Sequence, residues 1–399
     1  MTSSVQPRYW SSRLRKRAAI PALVLAFLLF SGAVTTQSAQ AQTFTVLYSF
    51  PWLDGANPYA GLVRDAAGNL YGTTFDGGAS GNGTVFKVDP AGTETVLHSF
   101  TGGLDGGSPY GGLIRDKAGN LYGATYSGGA SNVGTVFKVD PRGTETVLYN
   151  FTGTSGDGCY PYGGLFRDGA GNLYGTTANC GTSGAGTVFK VHPNGTETVL
   201  HSFANGPKDG AVPTLTSLIM DKDGNLYGVT SEGGRAGEGV AYKLSKNGTL
   251  TVLHSFTGGK TDGCDPFGTP ALDKEGNLYG TASGCGSSSD GIVWKVSNKR
   301  KETVLHNFAG GSADGALPYA GLTLDAKGNL YGDTTRGGNF NVGTVYQVTK
   351  TAFIVLQSFS GSAGGFPYDN LILDSQGNLY GTAETGGSTG WGTVWKLTP

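Results

Sequence analysis

The sequence has few of the residues and motifs that carry most enzyme chemistry. Charged residues occupy 14% of its 399 positions, and only five residues are histidines. It contains no Gly-x-Ser-x-Gly elbow, no phosphate-binding loop, no His-Glu-x-x-His pair and no Asp-x-Asp-x-Asp-Gly calcium loop. Its glycine-rich strings, such as GGASGNG, stand between strand-like runs rather than before a helix, which argues against a dinucleotide site. We therefore predict no cofactor and no metal ion.

Long hydrophobic runs are also scarce. The one extended apolar run, residues 18–30, is too short to cross a bilayer. It follows a basic patch at residues 13–17 and precedes the string SAQAQ, in which Ala39 and Ala41 form a small-x-small pattern. This order predicts a signal peptide over residues 1–41, cleaved after Ala41, and a secreted or periplasmic protein without a membrane span. The alternative is an uncleaved anchor.

The predicted mature chain is mildly acidic. Removal of residues 1–41 takes away five of the 28 basic residues and no acidic residue, which leaves 23 against 29, a net charge of −6. Non-specific nucleic-acid binding needs a basic surface, so we predict no nucleic-acid partner. We also expect a monomer.

Glycine is the abundant residue, and it recurs with a period. The chain has 70 glycines, far above the usual level of about 7%, and the string GNLYG occurs seven times at intervals of 49 to 53 residues. Each unit contains four short β-branched and aromatic runs separated by Gly, Asp, Asn and Pro turns, and none shows a sustained helical period. Units of this length with four antiparallel strands are typical of propeller blades. The pattern predicts an all-β, seven-bladed β-propeller over residues 42–399.

The two ends of the predicted mature chain are complementary. Residues 43–50, TFTVLYSF, match the fourth strand of a unit that lacks the first three, and the chain ends with GTVWKLTP, a third strand without a fourth. We predict that the N-terminal strand completes the last blade and closes the ring, which leaves no open sheet edge between the first and last blades.

The repeat resembles the GloVer tandem repeat of bacterial exported proteins. The resemblance lies in GNLYGTT, GTVFKVDPAGTETVLHSF and their spacing, and it covers nearly all of residues 43–399. The strand order is also similar to that of NHL and gluconolactonase-type propellers. The resemblance implies an extracytoplasmic location and implies no catalytic activity.

The four cysteines lie at two equivalent positions in two repeats. Cys159 and Cys180 are equidistant from the turn between the first two strands of their unit, and so are Cys264 and Cys285. Antiparallel residues equidistant from a turn lie near disulfide reach. We therefore pair Cys159 with Cys180 and Cys264 with Cys285, which places both joined loops on one face of the ring. Zinc, the rival interpretation, needs four ligands in one place, whereas these pairs lie in separate blades.

Acidic residues recur in the segment that precedes each unit's first strand. They could bind a cation or a basic ligand, or each could hydrogen-bond its own turn, as Asp-Gly favours. The candidate ligand-binding residues among them are Asp105, Asp157 and Asp262.

Aromatic residues follow the proline of six units. If they point toward the channel mouth they could stack on sugar rings; alternatively they pack between blades. These candidates are Tyr59, Tyr110, Tyr162, Phe267, Tyr319 and Tyr368, with Thr214 as the exception.

Two further features bear on a site. His98, His201, His254 and His306 share one position on the predicted outermost strand, so they should be spread around the rim and should not assemble one metal or acid–base site. Unit four diverges most and adds charged loop residues, among them Arg235, so we include Arg235 as a candidate.

These observations favour a binding role. We expect an extracytoplasmic scaffold that recognises carbohydrate or a cell-envelope protein. The alternative is a propeller enzyme of lactonase, lyase or glycosidase type that uses loop carboxylates, and a purely structural matrix protein is a third possibility. Fold alone does not choose between them.

Overall fold

Seven four-stranded antiparallel sheets form the seven blades of a β-propeller, as the repeats predict. The computed structural model describes residues 42–398 except Thr216 and Asp369. The predicted signal peptide, residues 1–41, lies outside these described residues. The first strand of the described chain, β1 (Thr43–Ser49), belongs to the last blade. No helix in the described part of the chain could span a membrane.

The strands follow one another from the innermost to the outermost position of each blade. The first four blades are blade 1 (β2 Val63–Arg64, β3 Leu70–Thr74, β4 Thr84–Val88, β5 Glu94–Ser99), blade 2 (β6 Ile114–Arg115, β7 Leu121–Thr125, β8 Thr135–Val139, β9 Glu145–Asn150), blade 3 (β11 Phe166–Arg167, β12 Leu173–Thr177, β14 Thr187–Val191, β15 Glu197–Ser202) and blade 4 (β17 Ile219–Met220, β18 Leu226–Thr230, β20 Val240–Leu244, β21 Leu250–Ser255).

The remaining strands complete the ring and add three short ribbons. Blade 5 contains β22 Gly263–Leu272, β23 Leu278–Cys285, β24 Ile292–Val296 and β25 Glu302–Asn307; blade 6 contains β27 Thr323–Leu324, β28 Leu330–Thr334, β30 Thr344–Val348 and β31 Phe353–Ser358; blade 7 contains β32 Ile372–Leu373, β33 Leu379–Ala383, β34 Thr393–Thr398 and β1. The ribbons pair β10 Gly158–Cys159 with β13 Asn179–Cys180, β16 Gly210–Ala211 with β19 Glu232–Gly233, and β26 Gly315–Ala316 with β29 Arg336–Gly337.

The predicted closure of the ring is confirmed. β1 pairs antiparallel with β34, and the register places Phe44 opposite Leu397 and Val46 opposite Trp395. The chain's first described strand thus supplies the outer strand of blade 7, so that this blade has the same four strands as the other six.

Aromatic contacts between successive blades hold the ring together. A fully buried Phe follows the outer strand of each blade, and its ring contacts the buried aromatic residue on the third strand of the next blade edge-on. The seven ring-centroid distances lie between 4.9 and 5.6 Å, and the pairs are Phe50–Phe86, Phe100–Phe137, Phe151–Phe189, Phe203–Tyr242, Phe256–Trp294, Phe308–Tyr346 and Phe359–Trp395.

The repeated GNLYG string has a separate structural reason at almost every residue. The Asn and Tyr side chains donate hydrogen bonds to the Asp that begins the preceding turn, as Asn120 and Tyr122 do to Asp116 at 2.9 and 3.0 Å. The second glycine lies under the third-strand aromatic ring: a Cβ on Gly280 would come within 2.3 Å of the Trp294 side chain. The tyrosine therefore fixes the turn through its hydroxyl group.

Both predicted disulfides are present, although the strand register differs from the prediction by one residue. Cys159 is bonded to Cys180 and Cys264 to Cys285, each with a Cα–Cα distance of 5.4 Å. Each pair is offset by one position, so that Cys180 lies opposite Gly158 and Cys285 opposite Gly263. In blade 5 the register shifts between Phe267 and Ala271, so counting from the turn does not carry through to the cysteines.

The close approach of Gly280 to Trp294 predicts the effect of adding one methyl group. Gly280→Ala should lower the free energy of unfolding by about 1–3 kcal/mol because overpacking a filled core displaces the aromatic ring. Gly169→Ala is the matched control, since a Cβ there meets nothing within 4 Å. Denaturant unfolding of both variants measures the difference; equal stability of the two would contradict this account of the repeated glycine.

Candidate functional site

The aromatic residues that follow the prolines gather around the propeller axis. Tyr59 stacks on Tyr110 at 4.6 Å between ring centroids, and Tyr110 contacts Tyr162 at 5.2 Å. On the other side, Tyr59 contacts Tyr368 at 5.3 Å, Tyr368 contacts Tyr319, and Tyr319 contacts Phe267 at 5.2 Å. We call these six residues the aromatic arc. Among the described residues no aromatic contact closes it across blade 4, which has Thr214 at the equivalent position.

The aromatic arc lies where the innermost segments of neighbouring blades pack closely together. The backbones of successive innermost segments meet there, since a Cβ on Gly111 would lie 2.4 Å from the Gly163 backbone and one on Gly268 would lie 2.2 Å from Gly321. The space left among Tyr59, Tyr110, Tyr162 and their neighbours is about 10 Å³, about the least that holds one water molecule. A ligand at the axis would therefore rest on the arc rather than pass through it.

The arc lies on the face that carries the disulfides. In every blade the segment before the first strand, which we call the leading loop, pairs with the segment that follows the second strand, as Ala56 does with Asp76 and Gly158 with Cys180. The tight Asp-x-x-Gly turns occupy the other face. A groove of about 920 Å³ between blades 5 and 6 lies among those turns, away from the arc.

One carboxyl group is hydrogen-bonded to the aromatic arc. The Tyr59 hydroxyl donates a 2.9 Å hydrogen bond to Oε1 of Glu384, and Glu384 follows the second strand of blade 7. Burial raises the pKa of Glu384 above its usual range, although the hydrogen bond from Tyr59 and the charge of Arg336 act in the opposite direction. The equivalent positions in blades 1–6 hold Phe75, Tyr126, Ala178, Ser231, Ser283 and Thr335.

A second set of side chains surrounds this face. The residue before each proline has a left-handed φ of 52–57° although none is glycine, a strained conformation for bulky residues. Its N–H group donates to a carbonyl group of the preceding blade at 2.8–3.2 Å in all seven cases. The backbone is therefore constant while the side chain differs in every blade: Asn57, Ser108, Tyr160, Val212, Asp265, Leu317 and Phe366.

The leading-loop aspartates, in contrast, are occupied by local hydrogen bonds. Asp105 accepts from the Thr101 amide, and Asp157 and Asp262 accept from the amides of Thr152 and Thr257. This is the turn-stabilising arrangement that we set against ligand binding. Burial opposes ionisation of Asp105, but hydrogen bonds from Thr101 and His98 lower its pKa below the usual range.

The sequence did not predict the partner of these aspartates. The outer-strand His or Tyr of the preceding blade bonds each one: His98 pairs with Asp105 at 3.3 Å, His254 with Asp262 at 3.1 Å, and Tyr149 with Asp157 at 3.0 Å. The four outer-strand histidines lie in four different blades, as expected, but each belongs to a His–Asp pair. The sequence contains a sign of this pairing, because Gln357 on the outer strand of blade 6 and Ala363 in the leading loop of blade 7 replace both partners together.

Arg235, the remaining candidate, lies apart from the aromatic arc. Its side chain is exposed, and its backbone N–H group donates to Ser255 on the outer strand of blade 4 at 2.7 Å. No described contact joins it to the arc. The divergence of unit four therefore leaves a gap in the arc rather than adding a cation to it.

Buried glutamates form a further set near the outer strands. Burial and the nearby Asp54 raise the pKa of Glu94 to about 8, and burial with a neighbouring aspartate raises the pKa of Glu145 and of Glu197 to about 7. The Oε1 atom of each is buried without a hydrogen-bond partner. These carboxyl groups are therefore protonated in the folded protein well above the ordinary glutamate pKa of about 4.3.

The family of the chain follows from its sequence profile. The Gloeobacter/Verrucomicrobia repeat matches residues 30–219 and 214–399. The chain belongs to this repeat family. This confirms the resemblance drawn from the GNLYG units. No curated protein shows significant sequence similarity to the chain.

Solved structures share its fold at low sequence identity. Virginiamycin B lyase from Staphylococcus aureus aligns over 90% of this chain and 99% of its own, with a TM-score of 0.57 and 11% identity. The extracellular domain of BT3049 from B. thetaiotaomicron, described as a hybrid two-component system, aligns over 90% of this chain and 41% of its own, with a TM-score of 0.54 and 13% identity. At these identities the likeness shows the propeller fold.

The buried glutamates predict that stability falls as pH rises. Their folded pKa values exceed the unfolded values, so their contribution is complete below the unfolded pKa of about 4.3 and is lost progressively as pH rises to the folded values of about 7 and 8. Between pH 5 and 8 the melting temperature should fall by a few degrees. The triple variant Glu94→Gln, Glu145→Gln, Glu197→Gln should flatten this slope, whereas the exposed control Glu232→Gln should not. An unchanged slope in the triple variant would refute the assignment.

Proposed function

We propose that the protein is an extracytoplasmic propeller that binds carbohydrate, or a carbohydrate-bearing component of the cell envelope, on the face that carries the aromatic arc. The observation that carries the proposal is the convergence of six half-buried aromatic side chains at the axis. The carbon-bound hydrogens of a pyranose make it apolar on its faces, while its hydroxyl groups need hydrogen-bond partners. Tyrosine offers both a flat ring and a hydroxyl group.

Several features support this location and role. Two disulfides suit an oxidising compartment, and the similar fold of an extracellular domain is in keeping with it. Cleavage after Ala41 would release residues 42–399 as a soluble monomer outside the cytoplasm. The low content of charged residues favours neutral ligands over nucleic acid.

A second candidate is an enzyme that acts on a similar ligand at the same face. The observation that favours it is Glu384, whose pKa burial raises and whose carboxyl group lies beside Tyr59 at the axis. A carboxyl group with a raised pKa can serve as a general acid. The similar fold of a lyase is compatible with this role and does not by itself favour it.

A glycan array tests the binding proposal. We expect residues 42–399 to bind at least one glycan, and the double variant Tyr110→Leu, Tyr162→Leu to weaken that binding at least tenfold because it removes two flat rings from the arc. Tyr149→Leu, which removes a half-buried tyrosine on an outer strand, is the control and should retain binding. No glycan signal, or equal binding by the arc variant, would remove the proposal.

Turnover of the bound glycan tests the second candidate. If the site is catalytic, incubation should yield a product detectable by mass spectrometry, and Glu384→Gln should reduce its rate at least a hundredfold with little change in affinity. Recovery of the glycan intact after prolonged incubation would exclude this candidate and leave the binding proposal unaffected.

A further inference from the structure

Two exposed tryptophans meet where the ring closes. Trp52 lies in the leading loop of blade 1 and Trp391 immediately before the third strand of blade 7; their rings are 4.9 Å apart, and their exposed fractions are 40% and 41%. The other two described tryptophans, Trp294 and Trp395, are fully buried. We call the Trp52–Trp391 contact the seam pair.

The other blades show that the fold does not need the seam pair. The carbonyl group of Trp391 accepts the N–H group of Asn57, and the residues that do the same in the other blades are Asn82, Val133, Ala185, Glu238, Asp290 and Val342. The carbonyl group of Trp52 accepts the Gly78 amide, as that of Gly103 accepts the Gly129 amide. Residues smaller than tryptophan thus close the same contacts elsewhere, so the packing of the blades does not require tryptophan at either position.

A chain of polar contacts connects the seam pair to the aromatic arc. Asn57 donates its backbone N–H to the Trp391 carbonyl at 2.9 Å and its side-chain amide to the Glu384 carbonyl at 3.4 Å. The Glu384 carboxyl group accepts from Tyr59, which stacks on Tyr110. Aromatic faces and hydrogen-bonding groups therefore alternate from the rim at blades 7 and 1 to the axis.

We propose that the seam of blades 7 and 1 is an oligosaccharide subsite, in which Trp52 and Trp391 contact one pyranose ring while Asn57 and Glu384 bind hydroxyl groups of the ring nearer the axis. This inference rests on the proposed function and extends it to a ligand of more than one sugar unit. It identifies residues outside the aromatic arc, which an oligosaccharide bound to the arc would contact with a further sugar unit.

Flat rings and polar groups lie close together along the chain at the seam, which suits an oligosaccharide. The exposed apolar side chains there are Trp52, Trp391 and Leu53, and the exposed Leu104 and Phe340 lie in the neighbouring blades 2 and 6. The polar residues Asn57, Ser388 and Thr389 lie near the two tryptophans in the sequence. A protein interface buries a broad patch that includes such apolar side chains. A sugar needs only a flat ring with adjacent polar groups.

Tryptophan fluorescence offers a direct measurement. In residues 42–399 the two exposed tryptophans are accessible to iodide and the two buried ones are not. Titration with cellotetraose, xylotetraose, maltotetraose or N-acetylchitotetraose, chosen from the array result, should protect the exposed pair from quenching. The matching monosaccharide should protect it far less.

The variants are chosen so that they preserve the fold. Trp52→Ala with Trp391→Val, the latter matching Val342 of blade 6, should lower tetrasaccharide affinity at least tenfold and leave the melting temperature near that of the parent. Phe340→Ala, which removes an exposed aromatic residue from blade 6, is the control and should bind normally.

The outcomes separate the subsite from the proposed function. If the seam variant binds the tetrasaccharide as tightly as the parent while Tyr110→Leu with Tyr162→Leu does not, the subsite is wrong and the function stands. If the parent protein binds no glycan, both the proposed function and the subsite are wrong. If an envelope protein binds instead and Phe340→Ala and the seam variant weaken it equally, the face is a protein-docking surface and the subsite is again wrong.

Discussion

The structure depends on one contact that is repeated in every blade. A third-strand aromatic ring lies against the glycine of LYG within its own blade and receives the edge of a phenylalanine from the preceding blade. Each such pair contributes about 0.5–1.5 kcal/mol beyond the area that it buries. Because β1 pairs with β34, the Phe50–Phe86 pair joins blade 7 to blade 1 in the same way as the other six pairs join successive blades. Cohesion of the blades thus comes from fully buried rings, whereas the candidate site is formed by half-buried and exposed side chains.

Because buried rings hold the blades together, the side chains on the candidate face can differ from blade to blade. The left-handed residue before each proline has a constant backbone because its N–H group is bonded to the preceding blade. A strained φ persists only where the surrounding structure over-determines it, and here the constraint is the same in seven places while the side chain changes from Asn57 to Phe366. The propeller therefore presents different side chains at fixed positions around the axis, which is the property expected of a recognition surface.

The sequence allowed prediction of those features that the repeat imposes. The blade number, the closing strand and both cysteine pairs follow from period and symmetry, because a structural need recurs in each unit. The one-residue register offset at Cys180 and Cys285 could not be predicted from the repeat. In blade 5 the register shifts between Phe267 and Ala271, and no residue pattern in the sequence indicates such a shift.

Contacts between consecutive units were harder to predict than contacts within one. The His–Asp pairs join the outer strand of one blade to the leading loop of the next, and the seam pair joins residues at opposite ends of the chain. Both contacts can be recognised in the sequence only when equivalent positions are compared across all units. The His–Asp pair is replaced at both of its positions by Gln357 and Ala363, and tryptophan occurs at positions 52 and 391 but at no equivalent position in the other units. The repeat itself points to the aromatic arc, whereas deviations from the repeat point to the seam pair.

Comparison of the blades also shows where the disulfides lie relative to the aromatic arc. The aromatic arc runs from Phe267 through blades 6, 7, 1 and 2 to Tyr162, and both terminal rings lack an aromatic neighbour on the side of blade 4. Cys264 and Cys159 lie three residues before these two terminal rings and bond their leading loops to the adjacent second-strand segments. Stacking holds the interior of the arc, and covalent bonds hold its two ends, where stacking is missing. The two disulfides thus lie in the blades, 3 and 5, that flank the gap in the arc.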